Sequence, residues 1–429
     1  MNPFRFLKRR FYFVGAKYFA FFARFVLRRW QPTIITVIGS SGKTTLLHLI
    51  EAQLGEKAVY SHRANSAFGI PFHILGIERE TFSICEWLKI FLLAPFKIFR
   101  SLPKQKIYVT EADAERPGES ELIAKLLRPH LLVWLSLGES HGANFDRLAK
   151  RAGTRVETAI AHEFGFFPEA TRSAIILNKN NPFIVKECDR TKAQKIMVDE
   201  DQVLRVITAH EKMVFETDSF TFEVPALVPK EVGLSLVGVS EVLSCLKQPV
   251  DLKFSNFKLP PSRSSVLKGK NNTTLIDSTY NAVIDGVRSM LEVFADYPAV
   301  GEKWLVLGDM VDQGESEQAE HELLAELIKK VKPNRFVFVG PRLAKYTYPI
   351  LIAQNKDGGY DPVQNPSFMR PDEALEFLKK NLNGGETILF KGARFLEGVV
   401  EKMLENPADA EKLCRREAVW VARRKEWGV

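Results

Sequence analysis

The chain has 429 residues, 45% hydrophobic and 26% charged, which is enough for two or three domains with cores of their own. Its four cysteines, Cys85, Cys188, Cys245 and Cys414, form no C-x-x-C pair, which argues against a zinc ribbon or disulfide frame and fits a reducing cytoplasmic compartment. The net charge of +8 belongs to one end: residues 1–30 hold Arg5, Lys8, Arg9, Arg10, Lys17, Arg24, Arg28 and Arg29 and no acid, so the basic pI does not imply a nucleic-acid-binding body.

That first segment is rich in aromatics. Lys17 and Arg24 interrupt its apolar run, which disfavours a spanning helix, and no A-x-A-like site follows it, which disfavours a signal peptide. It reads as a basic amphipathic helix on an anionic membrane surface, or as a helix docked on the protein's own core. Next, "TIITVIG" predicts a strand running into "GSSGKTT" and a helix from Thr44 to about Leu54. Residues 81–103 break the rhythm as an inserted aromatic helix with Pro95 near its middle: a lid, a core helix or a second membrane-facing element. "KIYVTEAD", "HLLVWLSLG" and "SAIILN" predict further buried strands, and "GESELIAKLLR" a helix. This alternation implies a largely parallel sheet covered on both faces.

Residues 200–225 look like short antiparallel strands, and "KLPPSRSS" has the composition of a linker. Beyond it "TTLIDS", "KWLVLGD", "RFVFVG" and "ETILFKG" restart the α/β pattern. The expected class is α/β. A basic aromatic helix (1–31) precedes a central P-loop domain with a mostly parallel sheet (32–260), and a second doubly wound, Rossmann-like domain follows (261–429).

In "GSSGKTT", Gly39, Ser40, Ser41, Gly42, Lys43, Thr44 and Thr45 make a phosphate cradle. Glycines let backbone N–H groups approach phosphates, Lys43 reaches the β/γ oxygens and Thr44 can ligate Mg²⁺. Glu111 and His141 follow other strands of the same sheet, as candidate metal or phosphate ligands. The second domain offers "IDSTYN" (Asp277, Tyr280, Asn281), "LGDMVDQGE" (Asp309, Asp312) and "KGARFLE" (Lys391, Arg394, Glu397), each just past a strand. Asp277 could bind ribose hydroxyls, and Lys391 or Arg394 a carboxylate or phosphate, although helix capping and surface ion pairs account for such residues equally well.

Taken together, "GSSGKTT", "ANSAFGIP" (with Asn65), "TEADAERPGE", "LGESHGANF", "IDSTYNA", "VLGDMVDQGE" and "KGARFLE" resemble the Mur ligase family over about residues 32–405. The likeness is to its MurF branch, which adds D-alanyl-D-alanine to a peptidoglycan precursor. The family's loop is G-x-x-G-K-[ST], which explains why Val37 stands where other phosphate loops have a first glycine.

The resemblance implies ATP and Mg²⁺, an acyl phosphate and attack on it by an amine. By the same likeness Thr44 and Glu111 hold one Mg²⁺, His141 helps place a second, Arg263 and Asp277 contact the nucleotide, and the domains close over ATP. Asn65, Tyr280, Asn281, Lys391 and Arg394 are the expected substrate residues, with a peptidoglycan precursor peptide and an amino acid or dipeptide as substrates. The implied location is cytoplasmic and peripheral on the inner membrane face.

Three departures stand out. Only the basic tail precedes the phosphate loop, where MurF enzymes have a UDP-sugar-binding domain. Phe164 takes the place of the family's carbamylated lysine, with Glu163 or His162 as stand-ins. "VPALVPKEV" replaces the family's G-x-H-N segment near the adenine. The alternative reading is a non-catalytic or weakly active nucleotide-binding protein at the membrane.

Overall fold

Strand β1 (Thr33–Ile38) is a β-branched run of which five residues are buried, as a strand covered on both faces must be. In the computed structural model, which describes residues 3–429 apart from 63, 80–82, 139–141, 312 and 354–359, helix α1 (Pro3–Trp30) precedes β1. There follow α2 (Lys43–Leu54), β2 (Ala58–Tyr60), α3 (Gly69–Leu75), α4 (Ile84–Lys97), β3 (Ile107–Glu111), α5 (Glu119–Leu127) and β4 (Leu131–Trp134). Then come α6 (Asp146–Ala152), α7 (Val156–Phe164), α8 (Phe166–Ala170), β5 (Ala174–Asn178), α9 (Pro182–Cys188) and β6 (Gln194–Val198).

These strands form a six-stranded sheet in the order β2-β3-β1-β4-β5-β6, parallel throughout. The chain leaves β1 toward β2 and β3, then returns to lay β4 on its other side. The order therefore reverses at β1, and open α/β sheets bind ligands at the carboxyl ends of such strands.

A meander of β7 (Val203–Thr208), β8 (Met213–Thr217) and β9 (Thr221–Val224) leads to α10 (Val232–Leu246). β8 and β9 are antiparallel, as their alternating sequence predicts.

The remaining elements are β10 (Ser265–Gly269), β11 (Thr273–Ser278), α11 (Ile284–Asp296), β12 (Lys303–Gly308), α12 (Glu317–Val331), β13 (Arg335–Val339), α13 (Tyr348–Ile352), β14 (Ser367–Phe368), α14 (Pro371–Asn381), β15 (Thr387–Lys391), α15 (Leu396–Met403) and α16 (Ala418–Glu426). They build a second sheet, β10-β11-β15-β12-β13-β14, whose edge strand β10 is antiparallel to β11. The chain divides into two compact units. The first comprises residues 1–204, 217–220 and 231–257, and the second 205–216, 221–230 and 258–429.

Of the two readings of the N-terminal helix, the one docked on the protein's own core is seen in α1, and one further expectation changes. Ala16, Phe19, Ala20, Ala23, Val26, Leu27 and Trp30 of α1 are buried in the core of the first unit, and Trp30 Nε1 donates to Gln105 O at 2.7 Å. Their three- and four-residue spacing makes one helix face, and that face packs on α3, α4 and α5. Pro95 sits near the C-terminal end of α4, not its middle. Among the described residues, no helix is long and apolar enough to cross a membrane.

Candidate active site

The loop between β1 and α2 is shaped by its glycines. Gly39 has φ 137°, and a Cβ there would lie 2.6 Å from Ser136 Oγ and 2.8 Å from Ser136 O. Gly42 has φ 74° with open space where a side chain would point. The loop is laced to the segment after β4: the Ser40 hydroxyl donates to Gly138 O and accepts from Gly138 N, both at 2.8 Å. Ser41 N donates to Ser136 Oγ at 3.1 Å, and that hydroxyl donates to Ser41 O at 2.7 Å. The first amides of α2 then face the loop with no intrahelical acceptor, as at any helix start.

β3 brings the acid. Its register places Glu111 opposite Val37, the residue two before Gly39, so a carboxylate arrives beside the loop by sheet pairing alone. Thr44 Oγ1 donates to Glu111 Oε2 at 2.9 Å. Burial holds the Glu111 carboxyl above the usual carboxylate range, partly offset by the Thr44 hydrogen bond and the Lys43 charge.

Lys43 Nζ donates to Gly39 O at 2.5 Å and lies 3.1 Å from Asp113 Oδ2. Asp113 is anchored in turn, because its N–H donates to Asn65 O at 3.0 Å. The predicted residues Gly39–Thr45, Asn65 and Glu111 thus come together. Asp113 was missed, although in extended chain it lies on the same side as Glu111, two residues earlier. His141 and Asp312 lie outside the described residues. His48, Glu51 and His62 make another group further along α2, with ligand atoms within 4.8 Å of one another.

Phe164 is a core residue. It is 1% exposed, with its ring 5.8 Å from that of Trp134. Glu163 is also committed: its carboxylate accepts from Gly118 N at 2.8 Å and Ser120 N at 2.9 Å, capping the start of α5. His162 is exposed, 3.7 Å from Glu187.

In the second unit, β15 inserts between β11 and β12, pairing Lys391 with Ser278 on one side and Leu307 on the other. Three segments distant in sequence therefore end at one sheet edge. Asp277 is fully buried. Its carboxylate accepts from Ser262 Oγ at 2.5 Å and from Thr279 N and Oγ1 at 3.1 and 2.7 Å. Those bonds hold the 262–264 turn, where Ser262 and Ser264 have φ 55° and 69°, and set the exposed Arg263 4.6 Å over the Tyr280 ring.

Lys391 Nζ donates to Asn281 O at 2.7 Å, and burial with the nearby Arg263 charge lowers its pKa to about 8. Arg394, in the left-handed region at φ 72°, forms a fork onto Asp309 Oδ2 at 2.9 and 3.1 Å. Asp309 also accepts from the N–H groups of Arg342 and Leu343. Asn281 turns its own side chain onto Ala282 N. Arg263, Tyr280 and Lys391 are one neighbourhood; Arg394 is tied to Asp309.

A glycine-shaped loop at the switch point of a parallel sheet, a hydroxyl–carboxylate pair at its mouth and a separate α/β C-terminal unit define a phosphate-loop α/β protein. The second unit matches the family described as Mur ligase, glutamate ligase domain, over residues 262–394. The chain is 23% identical over 397 residues to the UDP-N-acetylmuramoyl-tripeptide--D-alanyl-D-alanine ligase of Bacillus subtilis, covering 90% of this chain and 79% of that protein. It is 24% identical to the same-named ligase of Mycobacterium tuberculosis, over 84% of this chain and 70% of that one. A crystal structure of MurF ligase from Thermotoga maritima with ADP shares the fold at TM-score 0.68 and 20% identity, over 92% of this chain and 84% of that one. The second unit thus matches the Mur ligase family, and the chain as a whole is similar to MurF-type ligases in sequence and in fold.

Proposed function

We propose that the chain is an ATP-dependent carboxylate–amine ligase that adds D-alanyl-D-alanine, or a similar amine, to a peptidoglycan precursor peptide. The observation that carries the proposal is the Thr44–Glu111 contact at 2.9 Å, beside a Lys43 already seated over the loop. A hydroxyl and a carboxylate are hard oxygen donors, the chemistry Mg²⁺ takes when it also holds phosphate oxygens. The residues present therefore fit the ion. Thr44 and Glu111 would hold it, with His141 proposed for a second, and it would supply charge neutralisation on the phosphates.

A carboxylate is a poor electrophile. Attack by its oxygen on the γ-phosphorus expels ADP and leaves an acyl phosphate. The amine then attacks the acyl carbon, loses a proton and expels phosphate, leaving an amide. Lys43 is proposed to meet the charge that collects on the transferring group, and the loop amides to orient that group. Arg263 and Asp277 are proposed to serve the nucleotide, Asp277 by holding the turn that aims Arg263. Asn65, Tyr280, Asn281, Lys391 and Arg394 are proposed for the substrates. Arg394 would have to share its guanidinium with Asp309.

The proposed location is cytoplasmic, with peripheral contact between residues 1–30 and an anionic membrane. One observation favours a second reading, a nucleotide-binding protein with weak ligation: the buried Phe164 carries no carbamate. The test is ADP release on mixing the protein with ATP, Mg²⁺, a muramyl tripeptide and D-Ala-D-Ala. The ligase reading expects release that needs both acceptor and amine and is lost in Lys43→Ala. Tight ATP binding without release would favour the second reading.

A further inference from the structure

The inner face of α1 is spent in the core, so any surface contact must use what remains outside. On the outer arc Lys17, Arg24 and Arg28 follow one edge, with Phe21 in the middle and Phe25 on the far side. Phe21 and Phe25 are 54% and 38% exposed.

On the far side α4 is tied to α1, because Tyr18 OH donates to Phe91 O at 2.8 Å and Arg29 reaches Ile98 O. α4 exposes a ridge of Leu88, Leu92 and Phe96, four residues apart, with Phe99 just past its end. Their exposures are 61, 73, 71 and 77%, and a solvated helix has no use for such a row.

On the near side of α1 is a cavity of about 740 Å³ whose lining includes Arg24, Arg28, Arg128, Arg172, Lys125 and His130. Lys125 is paired with Glu121 at 2.5 Å. Among the described residues no carboxylate pairs with any of the four arginines. His130 Nδ1 accepts from Ile34 N at 3.0 Å, so that nitrogen is a neutral acceptor. Burial disfavours the charged form of Arg172, and the neighbouring Arg128 charge adds to the effect.

We infer that α1 and α4 form a docking face for an anionic phospholipid bilayer, with a lipid phosphate seated among Arg24, Arg28, Arg128 and Arg172 and the α4 ridge in the acyl boundary. This rests on the peripheral-contact reading and alters its basis: α4 supplies the apolar insertion and α1 the charge. The occupant follows from the charge. Every permanent charge on the outer arc of α1 and in the cavity lining is positive, and apolar ridge and cations flank one helix, the combination a charged lipid interface selects.

The test uses the full chain and vesicles of phosphatidylglycerol or of phosphatidylcholine. Wild type is expected to sediment with the anionic vesicles and far less with the neutral ones. Arg172→Glu should weaken that binding roughly tenfold. The double change Leu92→Glu and Phe96→Glu should abolish it with an unchanged melting temperature, since both sites are exposed. Binding by wild type that the α4 changes leave intact would overturn the inference while sparing the peripheral-contact reading. Absence of wild-type binding would overturn both. Inorganic phosphate bound through Arg172 without vesicle binding would make the cavity a soluble-anion site and overturn the lipid assignment. Self-association abolished by Leu92→Glu, without vesicle binding, would assign the ridge to a second copy and overturn it as well.

Discussion

Lys43 and Asp113 meet at 3.1 Å with both side chains about nine-tenths buried, so the loop's ammonium is held over its own cradle by a carboxylate of the same unit. Lys43 Nζ also caps Gly39 O, which closes the turn on itself. A nucleotide phosphate would replace Asp113 as the partner of a charge already in place, so little reorganisation is needed on binding. Lys43→Ala is expected to lower ADP release by about a hundredfold or more, as loss of a group aimed at developing charge does. Asp113→Asn keeps the shape and loses the anchor, and should cost about 10- to 100-fold. Steady-state turnover of the two variants checks the order; equal losses would contradict it.

If Glu111 holds Mg²⁺ as proposed, the metal requirement should depend on pH. Mg²⁺ takes the ionised carboxylate, and burial holds this carboxyl above its ordinary range. As pH falls, Glu111 therefore protonates earlier than an exposed glutamate would, and the Mg²⁺ concentration for half-maximal ADP release should rise. Glu111→Gln should raise that concentration about tenfold or more at neutral pH and flatten its pH dependence. Titration of activity with Mg²⁺ across the acid range is the measurement.

Lys391 behaves in the opposite sense. Its ammonium is disfavoured by burial and by Arg263, so the amine is neutral above about pH 8. Binding of an anionic substrate group through Lys391 should weaken as pH rises past that point, seen as a rising KM. Stability should rise over the same interval. The unfolded lysine keeps its proton up to about 10.4 while the folded one has lost it, so the unfolded state binds more protons there. Lys391→Arg should remove the KM inflection.

Phe164 tests whether its position is structural. Phe164→Ala should cost about 3–5 kcal/mol in urea unfolding, the usual loss for a fully buried ring, and leave the Mg²⁺ requirement unaltered. A changed metal requirement with unchanged stability would show that the ring has a part in the site.

Removing residues 1–30 would uncover the core surface now covered by Phe19, Val26 and Trp30. The truncated protein is expected to lose cooperative thermal unfolding, which is why point changes on α4 are the proper membrane test. A truncated chain melting like the intact one would contradict the docking of α1.

The loop was legible because its chemistry is local: glycines, lysine and threonine within seven residues, between a β-branched run and a helical one. Glu111 was legible as a strand end. Its meeting with Thr44 depends on β3 pairing with β1, which local pattern does not specify. The same holds for the second unit, where only the insertion of β15 between β11 and β12 brings Lys391 beside Ser278. The edge strand β10 lay hidden because "SVLKG" is short and follows a proline- and serine-rich run. For α1 the composition drew attention to charge and aromatics, while the spacing of Ala16, Phe19, Ala23, Val26 and Trp30 already described a buried stripe.

The central claim is that a carboxylate oxygen of the acceptor attacks the γ-phosphorus of ATP. The direct measurement uses a muramyl tripeptide whose carboxylates carry a heavy oxygen isotope, supplied with ATP, Mg²⁺ and D-Ala-D-Ala, with the released phosphate weighed by mass spectrometry. Amine attack on an acyl phosphate breaks the bond between carbon and bridging oxygen, so one heavy oxygen should leave in the phosphate, and Lys43→Ala should abolish its appearance. Phosphate released without the label would mean that water, not the acceptor, receives the phosphoryl group, and would contradict the ligase account.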